Sequence, residues 1–376
     1  MDKYEYLWLC IRGNHLPGDI SRGEYEYSEI MKMSTDGLIH KLAITKKAAE
    51  YIMSTKEEYD VEFEYDRFLR SGASAVTIRE NNYPARLRYI DNSPYALIYY
   101  GKLPENHKRH VAIIGARKCT DYGRIMAEEI AAGLAKENVT VVSGMAYGID
   151  GIAQMSAINN GGYSIAVTGS GVDICYPRAN RPIYDRLLTE GCILSEYAIG
   201  APAKSENFPM RNRIISGLSD VIIVVEARLK SGTFITVDYA LMQGREVMIV
   251  PGRATDPLSM GCNALLFQGA NPVQSSDDVM RLLDTISPDF YIGRNGDNSF
   301  RTKELSEYIP KPSEKILLER EENMVYSVLD FYALSPEDIQ NRVDMDIFQV
   351  MNVLVSLELK GLIKESGKNM YVKCKK

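Results

Sequence analysis

Histidine, paired cysteine and long apolar runs are scarce in this sequence of 376 residues. Its four histidines do not stand at metal-ligand spacing and its six cysteines include no Cys-x-x-Cys pair, which argues against a zinc site and favours a reduced protein. No apolar run approaches the roughly 20 residues of a membrane span, and the amino terminus has no apolar signal core. The sequence therefore predicts a cytoplasmic protein that does not associate with a membrane.

An excess of positive charge is also missing. The formal net charge is −6, so any nucleic-acid site has to be a local basic patch. An apolar content of 45% is ordinary for a protein with a buried core, and the length allows two or three domains. Composition thus excludes a chain that holds a polyanion through its overall charge.

The residue pattern changes three times along the chain, and each change marks a predicted boundary. Residues 1–75 carry helical patterns and many charges, which predicts a small all-α domain of the SAM or helix-hairpin kind. Residues 76–284 are predicted to form the central domain, and residues 285–312, with many Asp, Asn, Gly, Ser and Pro, a linker. Residues 313–376 predict three helices and a hairpin around Gly367, the pattern of a winged helix.

Short apolar runs alternate with helical patterns in the central domain. Near-continuous apolar strands are typical of a parallel sheet that is buried on both faces, so we expect a doubly wound α/β fold. The predicted strands are residues 111–114, 139–142, 164–167, 193–194, 221–225 and 247–250.

Each predicted strand ends in a short turn, and most of these turns contain glycine or serine. The carboxyl ends of parallel strands share one edge of the sheet, where helix amino termini offer unpaired N–H groups to anions. Glycine at such a turn lets a phosphate approach the backbone, although it also allows strand and helix to pack tightly. Both interpretations stay open for Gly115, Ser143, Gly144, Gly148 and Gly171.

Basic side chains recur at the same strand ends. Guanidinium and ammonium groups bind phosphates, and a neighbouring aromatic ring offers a face on which an unpaired base stacks. Ordinary solvated charge is the alternative for any one of these residues, but their recurrence at one edge favours a shared phosphate-binding role. The candidates are Arg117, Lys118, Arg178, Arg181, Arg211, Arg213 and Lys230, with Asn180 and Ser231 beside them and Tyr176 and Phe208 as stacking rings.

The usual glycine signatures of a bound nucleotide cofactor are absent. Gly169 and Gly171 do not belong to a Gly-x-Gly-x-x-Gly motif, and no Walker-type Gly-Lys-Ser/Thr occurs, so no cofactor is predicted. Four acidic residues near the same edge have either an acid–base role or the role of capping helices and orienting arginines. We favour the second role for Asp150, Asp173, Glu196 and Glu226.

The third helix predicted for the carboxyl-terminal segment, residues 346–360, bears two acidic residues and a single basic one. A recognition helix in the major groove normally needs several donors and positive charge. We therefore expect this domain to pack or to bind protein rather than to read DNA.

Taken in order, the motifs of the central domain resemble the DNA processing protein A family, also called Smf. The resemblance runs from Tyr83-Pro84 to Gly269-Ala270 and rests on many fixed spacings. Its strongest parts are Gly115-Ala116-Arg117, Ser143-Gly144-Met145-Ala146-x-Gly148-Ile149-Asp150, Gly169-Ser170-Gly171-Val172-Asp173-x-x-Tyr176-Pro177-x-x-Asn180, Phe208-Pro209-x-Arg211-Asn212-Arg213 and Lys230-Ser231-Gly232.

The resemblance implies an extended Rossmann fold, a homodimer and a protein without established catalysis. It also implies a function, in which the protein protects incoming single-stranded DNA and loads the recombinase RecA onto it during natural transformation or DNA uptake. The DNA-binding residues it implies are Gly115, Arg117, Ser143, Gly144, Gly148, Gly171, Tyr176, Asn180, Arg211, Arg213, Lys230 and Ser231.

Two other functions compete with this one. The same kind of core resembles nucleotide phosphoribohydrolases, whose Gly-Gly-x-Gly-Thr-x-x-Glu motif supplies a catalytic acid. Here Thr236 stands in the place of that Glu, so the general acid/base is missing. The remaining alternative is a protein-interaction scaffold. Two positions depart from the DNA processing pattern: Ala116, where the family often has serine, and Gln154, where it often has histidine.

Overall fold

A mixed sheet of nine strands forms the centre of the amino-terminal part of the protein. The computed structural model describes residues 1–11, 27–42, 44–286, 320–329, 334–343, 345–365 and 369–373. The chain divides into two units, residues 1–298 and 299–376, each with its own apolar core.

All six strands predicted from apolar runs are present and parallel. The nine strands are β1 Ser74–Thr77, β2 Ala96–Gly101, β3 His110–Ile114, β4 Thr140–Ser143, β5 Ser164–Val167, β6 Gly191–Ser195, β7 Val221–Val224, β8 Glu246–Ile249 and β9 Asn271–Pro272. They lie in the order β1-β2-β6-β5-β4-β3-β7-β8-β9, and β2 pairs antiparallel with both β1 and β6. Because the chain builds outward from β3 to β6 and then returns to β7 beside β3, the switch point of this doubly wound sheet lies between β3 and β7.

Successive side chains of each strand point to opposite faces of the sheet. Both faces are apolar, and each packs against a layer of helices. Val111 and Ile113 share a core with the layer of α6 Asp121–Lys136, α7 Ile149–Asn159 and α12 Ser276–Thr285. Ala112 and Ile114 point the other way, towards α9 Asn207–Leu218, α10 Thr233–Met242 and α11 Met260–Phe267. A further helix, α8 Arg181–Glu190, packs on β6, β5 and β2.

Helices alone form the described part of the chain before β1, as predicted. They are α1 Lys3–Ile11, α2 Tyr27–Ile30, α3 Thr35–Leu42, α4 Lys46–Glu58 and α5 Val61–Ser71. Tyr6 of α1 stacks on Phe68 of α5 with ring centroids 4.8 Å apart, and both share one apolar core with Ile98 and Leu194 of the sheet. The domain boundary at residue 75 stays a prediction; β1 runs across it.

A buried polar network joins the segment before β3 to the amino end of the sheet. Arg86 donates from Nε and Nη2 to the carboxylate of Asp220, each at 3.1 Å. The same carboxylate accepts the backbone N–H of His110 at 2.9 Å, and the imidazole Nδ1 donates to the Leu218 carbonyl at 3.0 Å. Burial, aided by Arg86, lowers the pKa of His110 to about 3.

The second unit has the elements of a winged helix, as predicted. They are α13 Arg320–Val328, α14 Pro336–Gln340, α15 Ile347–Leu359 and the antiparallel strands β10 Ile363–Glu365 and β11 Tyr371–Lys373. Val350, Leu354 and Leu357 of α15 are buried in its core. The predicted linker from residue 287 onward and Gly367 lie outside the described residues. Within the described ranges, no helix is both long and apolar enough to cross a membrane.

Candidate nucleic-acid interface

The turns that follow several parallel strands line one cleft of about 840 Å³ at the carboxyl edge of the sheet. The cleft lies at the switch point, because residues 115–118 follow β3 and residues 230–233 follow β7. Ala146 comes from the turn after β4 and Tyr176 from the loop after β5. The first turn of α9 adds Phe208, so that the strand ends predicted to lie together share one cavity.

The cleft presents exposed positive charge, although the whole chain is acidic. Elsewhere, Arg124 and Arg181 are held by Glu128 and Asp185. The cleft contains exposed basic side chains that form no ion pair with any described acidic residue, and its lining includes a single acid, which is buried. These side chains are Arg117, Lys118, Arg228 and Lys230. Sequence reasoning missed Arg228, which directly follows the Glu226-Ala227 turn.

Two aromatic rings meet at the centre of the cleft. The ring centroids of Tyr176 and Phe208 are 5.5 Å apart, with an interplanar angle of 33°. Tyr176 is 46% exposed, so its ring is open to a ligand. The guanidinium groups of Arg117 and Arg211 lie 5.9 Å and 5.8 Å from the Phe208 ring centroid. The arrangement can hold a flat, unpaired base beside a phosphate-binding cation.

Both units match models of known families. Residues 74–284, more than half of the chain, match the model for DNA recombination-mediator protein A. The chain belongs to this family. Residues 310–367 match the DprA winged helix domain. Membership places the chain among proteins of DNA processing and recombination, as its motifs predict.

Relatives and solved structures agree with this membership. The DNA processing protein DprA of Streptococcus pneumoniae is 42% identical over 206 residues, which are 55% of this chain and 73% of that protein. Its X-ray structure matches with a TM-score of 0.66 at 33% identity, covering 75% of this chain and 98% of that one. A DprA structure from Helicobacter pylori, described by its single-stranded DNA binding mode, matches with a TM-score of 0.51 at 30% identity, over 56% of this chain and 95% of that one.

Arg211 lies in the floor of the cleft rather than on its surface. It is 5% exposed, and Nη1 donates to the Gly144 carbonyl at 2.8 Å and to the Val167 carbonyl. Burial lowers its pKa to about 10, and the neighbouring Asp150 carboxylate opposes that shift. The hydrogen bonds of Arg211 tie the ends of β4 and β5 together, and its predicted contact with DNA stays a prediction.

The second predicted arginine of α9 is also committed within the protein. Arg213 is 2% exposed and donates from both terminal nitrogens to Glu196, at 2.7 Å and 2.6 Å. Burial alone would lower its pKa, but the paired carboxylate outweighs burial and raises it. These hydrogen bonds join α9 to the turn after β6 and leave Arg213 almost no exposed surface, while its predicted contact with DNA stays a prediction.

Protein atoms already fill the space beside the predicted glycines. A β-carbon at Gly148, where φ is +71°, would lie 2.3 Å from the Ala116 carbonyl oxygen, so glycine here lets two strand-end turns touch. At Gly115 an added β-carbon would meet Ile149 at 2.8 Å, and at Gly171 it would meet the Ala198 carbonyl at 2.5 Å. The structure thus favours the tight-packing interpretation of these glycines over direct approach of a phosphate.

The predicted polar residues hold the turns in shape. Ser143 is buried and donates to the Ile113 carbonyl at 2.6 Å. Asn180 donates to the carbonyls of Met145 and Ala146, both at 2.9 Å. These contacts direct Ser143 and Asn180 inward rather than towards a ligand. Gln154 binds the same turn, since its side-chain oxygen accepts the Met145 N–H at 3.0 Å.

The four acidic residues near the edge cap turns or pair with arginine, as we favoured from the sequence. Asp150 accepts the Gly144 N–H at 3.1 Å, and burial raises its pKa against the effect of Arg211. Asp173 accepts the Gly200 N–H at 2.9 Å, and Glu226 accepts the N–H of Thr120, the cap of α6, at 2.9 Å. In the described ranges, no group of three or more His, Cys, Asp and Glu side chains could hold a metal ion.

Proposed function

We propose that the cleft binds single-stranded DNA, with phosphates on its exposed cations and bases on its aromatic rings. The observation that carries this proposal is that unpaired Arg117 and Lys230 share one cavity with the open Tyr176–Phe208 ring pair. Cations attract any nucleic acid, whereas ring faces accept only bases free of a duplex, at about 1–3 kcal/mol each. The DNA-binding mode named for the Helicobacter pylori relative supports the same ligand class.

The proposed contacts differ in kind among the residues of the cleft. Ser231 lies between Lys230 and an open glycine, Gly232, where an added β-carbon would meet nothing within 4 Å. That opening leaves room for a phosphate beside the backbone, unlike the filled space at Gly144. We infer that Arg117, Lys118, Arg228 and Lys230 bind phosphates, whereas Ser143, Asn180, Arg211 and Arg213 keep the cleft in shape.

We propose, on the family resemblance, that the protein loads RecA onto the bound strand in the cytoplasm and acts as a homodimer. Exposed apolar side chains at the ends of α10 and α11 support the dimer. Leu241 and Met242 at the end of α10 are 58% and 68% exposed, and Phe267 at the end of α11 is 97% exposed. A contiguous patch of exposed apolar side chains of this size is typical of an interaction surface, and we propose that these three residues form one. Phe267→Asp should convert the dimer to a monomer in sedimentation velocity.

We also propose that the protein is not an enzyme. Thr236, in the place of the phosphoribohydrolase acid, is 3% exposed and carries no titratable group. The carboxylates that come nearest to the cleft, Asp150 and Glu226, are engaged by backbone N–H groups. Incubation with nucleoside monophosphates should release no free base, and release at a rate that depends on Glu226 would make the enzymatic alternative correct.

One titration separates the DNA mediator from the protein-interaction scaffold. A fluorescent oligo-dT strand is titrated at two salt concentrations and followed by anisotropy. Binding that weakens steeply with salt, with about 0.7 in log–log slope for each phosphate neutralised, supports the DNA mediator. Weak binding with almost no salt dependence would instead favour a protein-interaction scaffold.

A further inference from the structure

Two of the amino-terminal helices, α1 and α5, form hydrogen bonds with a turn that leads into the wall of the cleft. The turn follows β6 and contains Ile199 and Gly200. The phenol oxygen of Tyr6, on α1, accepts the Ile199 N–H at 3.0 Å. The guanidinium of Arg67, on α5, donates to the Ile199 carbonyl. The backbone N–H and the carbonyl of Ile199 are therefore both hydrogen-bonded to side chains of the amino-terminal helices.

Arg67 also lies flat against the next residue of the turn. A β-carbon at Gly200 would stand 3.2 Å from the guanidinium carbon, and Gly200 has a φ of +76° that favours glycine. Glu64, one helical turn earlier, fixes the guanidinium with an ion pair of 2.7 Å. The helix thus presents Arg67 in one orientation to the turn.

This turn in its own right holds the loop that carries Tyr176. The Gly200 N–H donates to the Asp173 carboxylate at 2.9 Å, and the Gly171 N–H donates to the Ala201 carbonyl at 2.9 Å. Asp173 precedes Tyr176 by three residues. The contacts form a continuous path from Arg67 to the exposed ring of Tyr176.

A second path runs along the chain. Two residues after Ala201, the segment enters the wall of the cleft, where Ala203 and Ser205 are lining residues. It then reaches Phe208 in the first turn of α9. Both stacking rings are therefore anchored, on one side, to a turn held by α1 and α5.

We propose that α1 and α5 position the two stacking rings of the cleft, with Tyr6 and Arg67 as the positioning residues. The inference rests on the proposed binding of single-stranded DNA. It gives the amino-terminal helices a role in binding without any contact between them and the DNA. Removing these hydrogen bonds loosens the loop that carries Tyr176. Binding must then order that loop, and this entropy cost lowers the affinity for DNA.

The test compares Arg67→Ala with Arg70→Ala, the same change one turn along α5. Arg70 pairs at the surface with Asp66 and is 82% exposed, so it controls for charge and helix propensity. Affinity for fluorescent oligo-dT is measured at two salt concentrations for both variants, for Tyr176→Ala, and for the Arg67→Ala/Tyr176→Ala double variant. Tyr6→Phe keeps the ring packing, removes only the acceptor oxygen, and takes the place of Arg67→Ala should that variant not fold.

We expect Arg67→Ala to raise the dissociation constant about fivefold with an unchanged salt slope, and Arg70→Ala to have no effect. In the double variant, Arg67→Ala should raise the dissociation constant of Tyr176→Ala by less than the fivefold it causes alone, because only its effect through Phe208 remains. A log–log salt slope that is smaller by about 0.7 in Arg67→Ala would mean that Arg67 contacts a phosphate directly. If the fold losses of affinity of the two single variants multiply in the double variant, Arg67 and Tyr176 act independently. Either result overturns the positioning role. Normal binding by Arg67→Ala overturns the positioning role and leaves the proposed function intact. Failure of the unmodified protein to bind overturns the proposed function itself.

Discussion

The guanidinium of Arg211 fills the space in which a β-carbon at Gly144 would stand. An added β-carbon would lie 2.6 Å from Nη2 and 2.7 Å from Cζ of that arginine. Arg211 also lies 5.8 Å from the centroid of the Phe208 ring. A change at Gly144 therefore reaches the stacking site through a buried arginine.

Gly144→Ala should lower the free energy of unfolding by about 1–3 kcal/mol, because a displaced Arg211 guanidinium, which is buried, loses its hydrogen bond to the Gly144 carbonyl. It should also weaken single-strand binding by displacing the support of Phe208. Gly37→Ala on α3 is the control, since its nearest atom would be 3.4 Å away. Urea denaturation measures the first effect and anisotropy the second. Unchanged stability in Gly144→Ala would contradict the tight fit of Arg211.

Single-stranded DNA should bind more tightly than a blunt duplex of the same length, with little sequence preference. The reason is that the faces of Tyr176 and Phe208 accept only unpaired bases, whereas the cations accept either form. Competition of unlabelled strand and duplex against a fluorescent strand measures the difference. Equal competition would remove the rings from the mechanism.

Arg117→Ala should weaken single-strand binding and reduce the log–log salt slope by roughly 0.7, the value for one phosphate. Its thermal unfolding midpoint should stay the same, because Arg117 is exposed and holds no other part of the fold. Arg124→Ala, which removes an exposed arginine already paired with acids, should change neither quantity. Normal binding by Arg117→Ala would show that the site lies elsewhere.

Deletion of residues 313–376 should leave most single-strand affinity intact. No basic residue occurs in α15, and its buried face of Val350 and Leu354 belongs to the core of its own unit. The truncated and full chains are compared in the same low-salt buffer. A tenfold rise in the dissociation constant, about 1.4 kcal/mol, would mean that the winged helix contacts DNA.

Stability should fall as the pH drops below about 6.5, in part because of His110. Its pKa is lowered from 6.5 to about 3 in the folded protein. At a pH between these two values, His110 is protonated in the unfolded chain and neutral in the folded protein. This contribution should reduce the free energy of unfolding by about 2 kcal/mol between pH 7 and pH 5. His110→Asn should flatten that decline, and His107→Asn, at an exposed histidine, should not. Parallel pH profiles for the two variants would contradict the assignment.

Strand positions were predictable because a parallel sheet buried on both faces demands continuous apolar runs. Each of the six predicted runs overlaps a strand. The antiparallel pair of β1 and β2 was not predicted, because it lies before the first alternation of strand and helix. The two residues of β9 are too few to leave a pattern.

The candidate site was predictable in its location but not in the part each residue plays. Turns after parallel strands have to meet at one edge, so Arg117, Tyr176 and Lys230 could be placed together from spacing. Burial depends on how the chain packs. The residues next to Arg211 and Arg213 in sequence do not distinguish them from arginines that lie on the surface. Their neighbours Gly144 and Glu196 are distant in sequence, and only folding brings these partners into contact.

By itself, the sequence determined the doubly wound sheet, the winged helix and the edge at which the strand-end turns meet, because these follow from local periodicity and strand polarity. Tertiary structure alone decided which arginines face solvent and which brace the cleft. It also decided that the glycines serve packing and that Arg67 reaches Ile199. The physical reason is that exposure and long-range hydrogen bonds depend on the atoms that surround a residue, and those atoms come from distant parts of the chain.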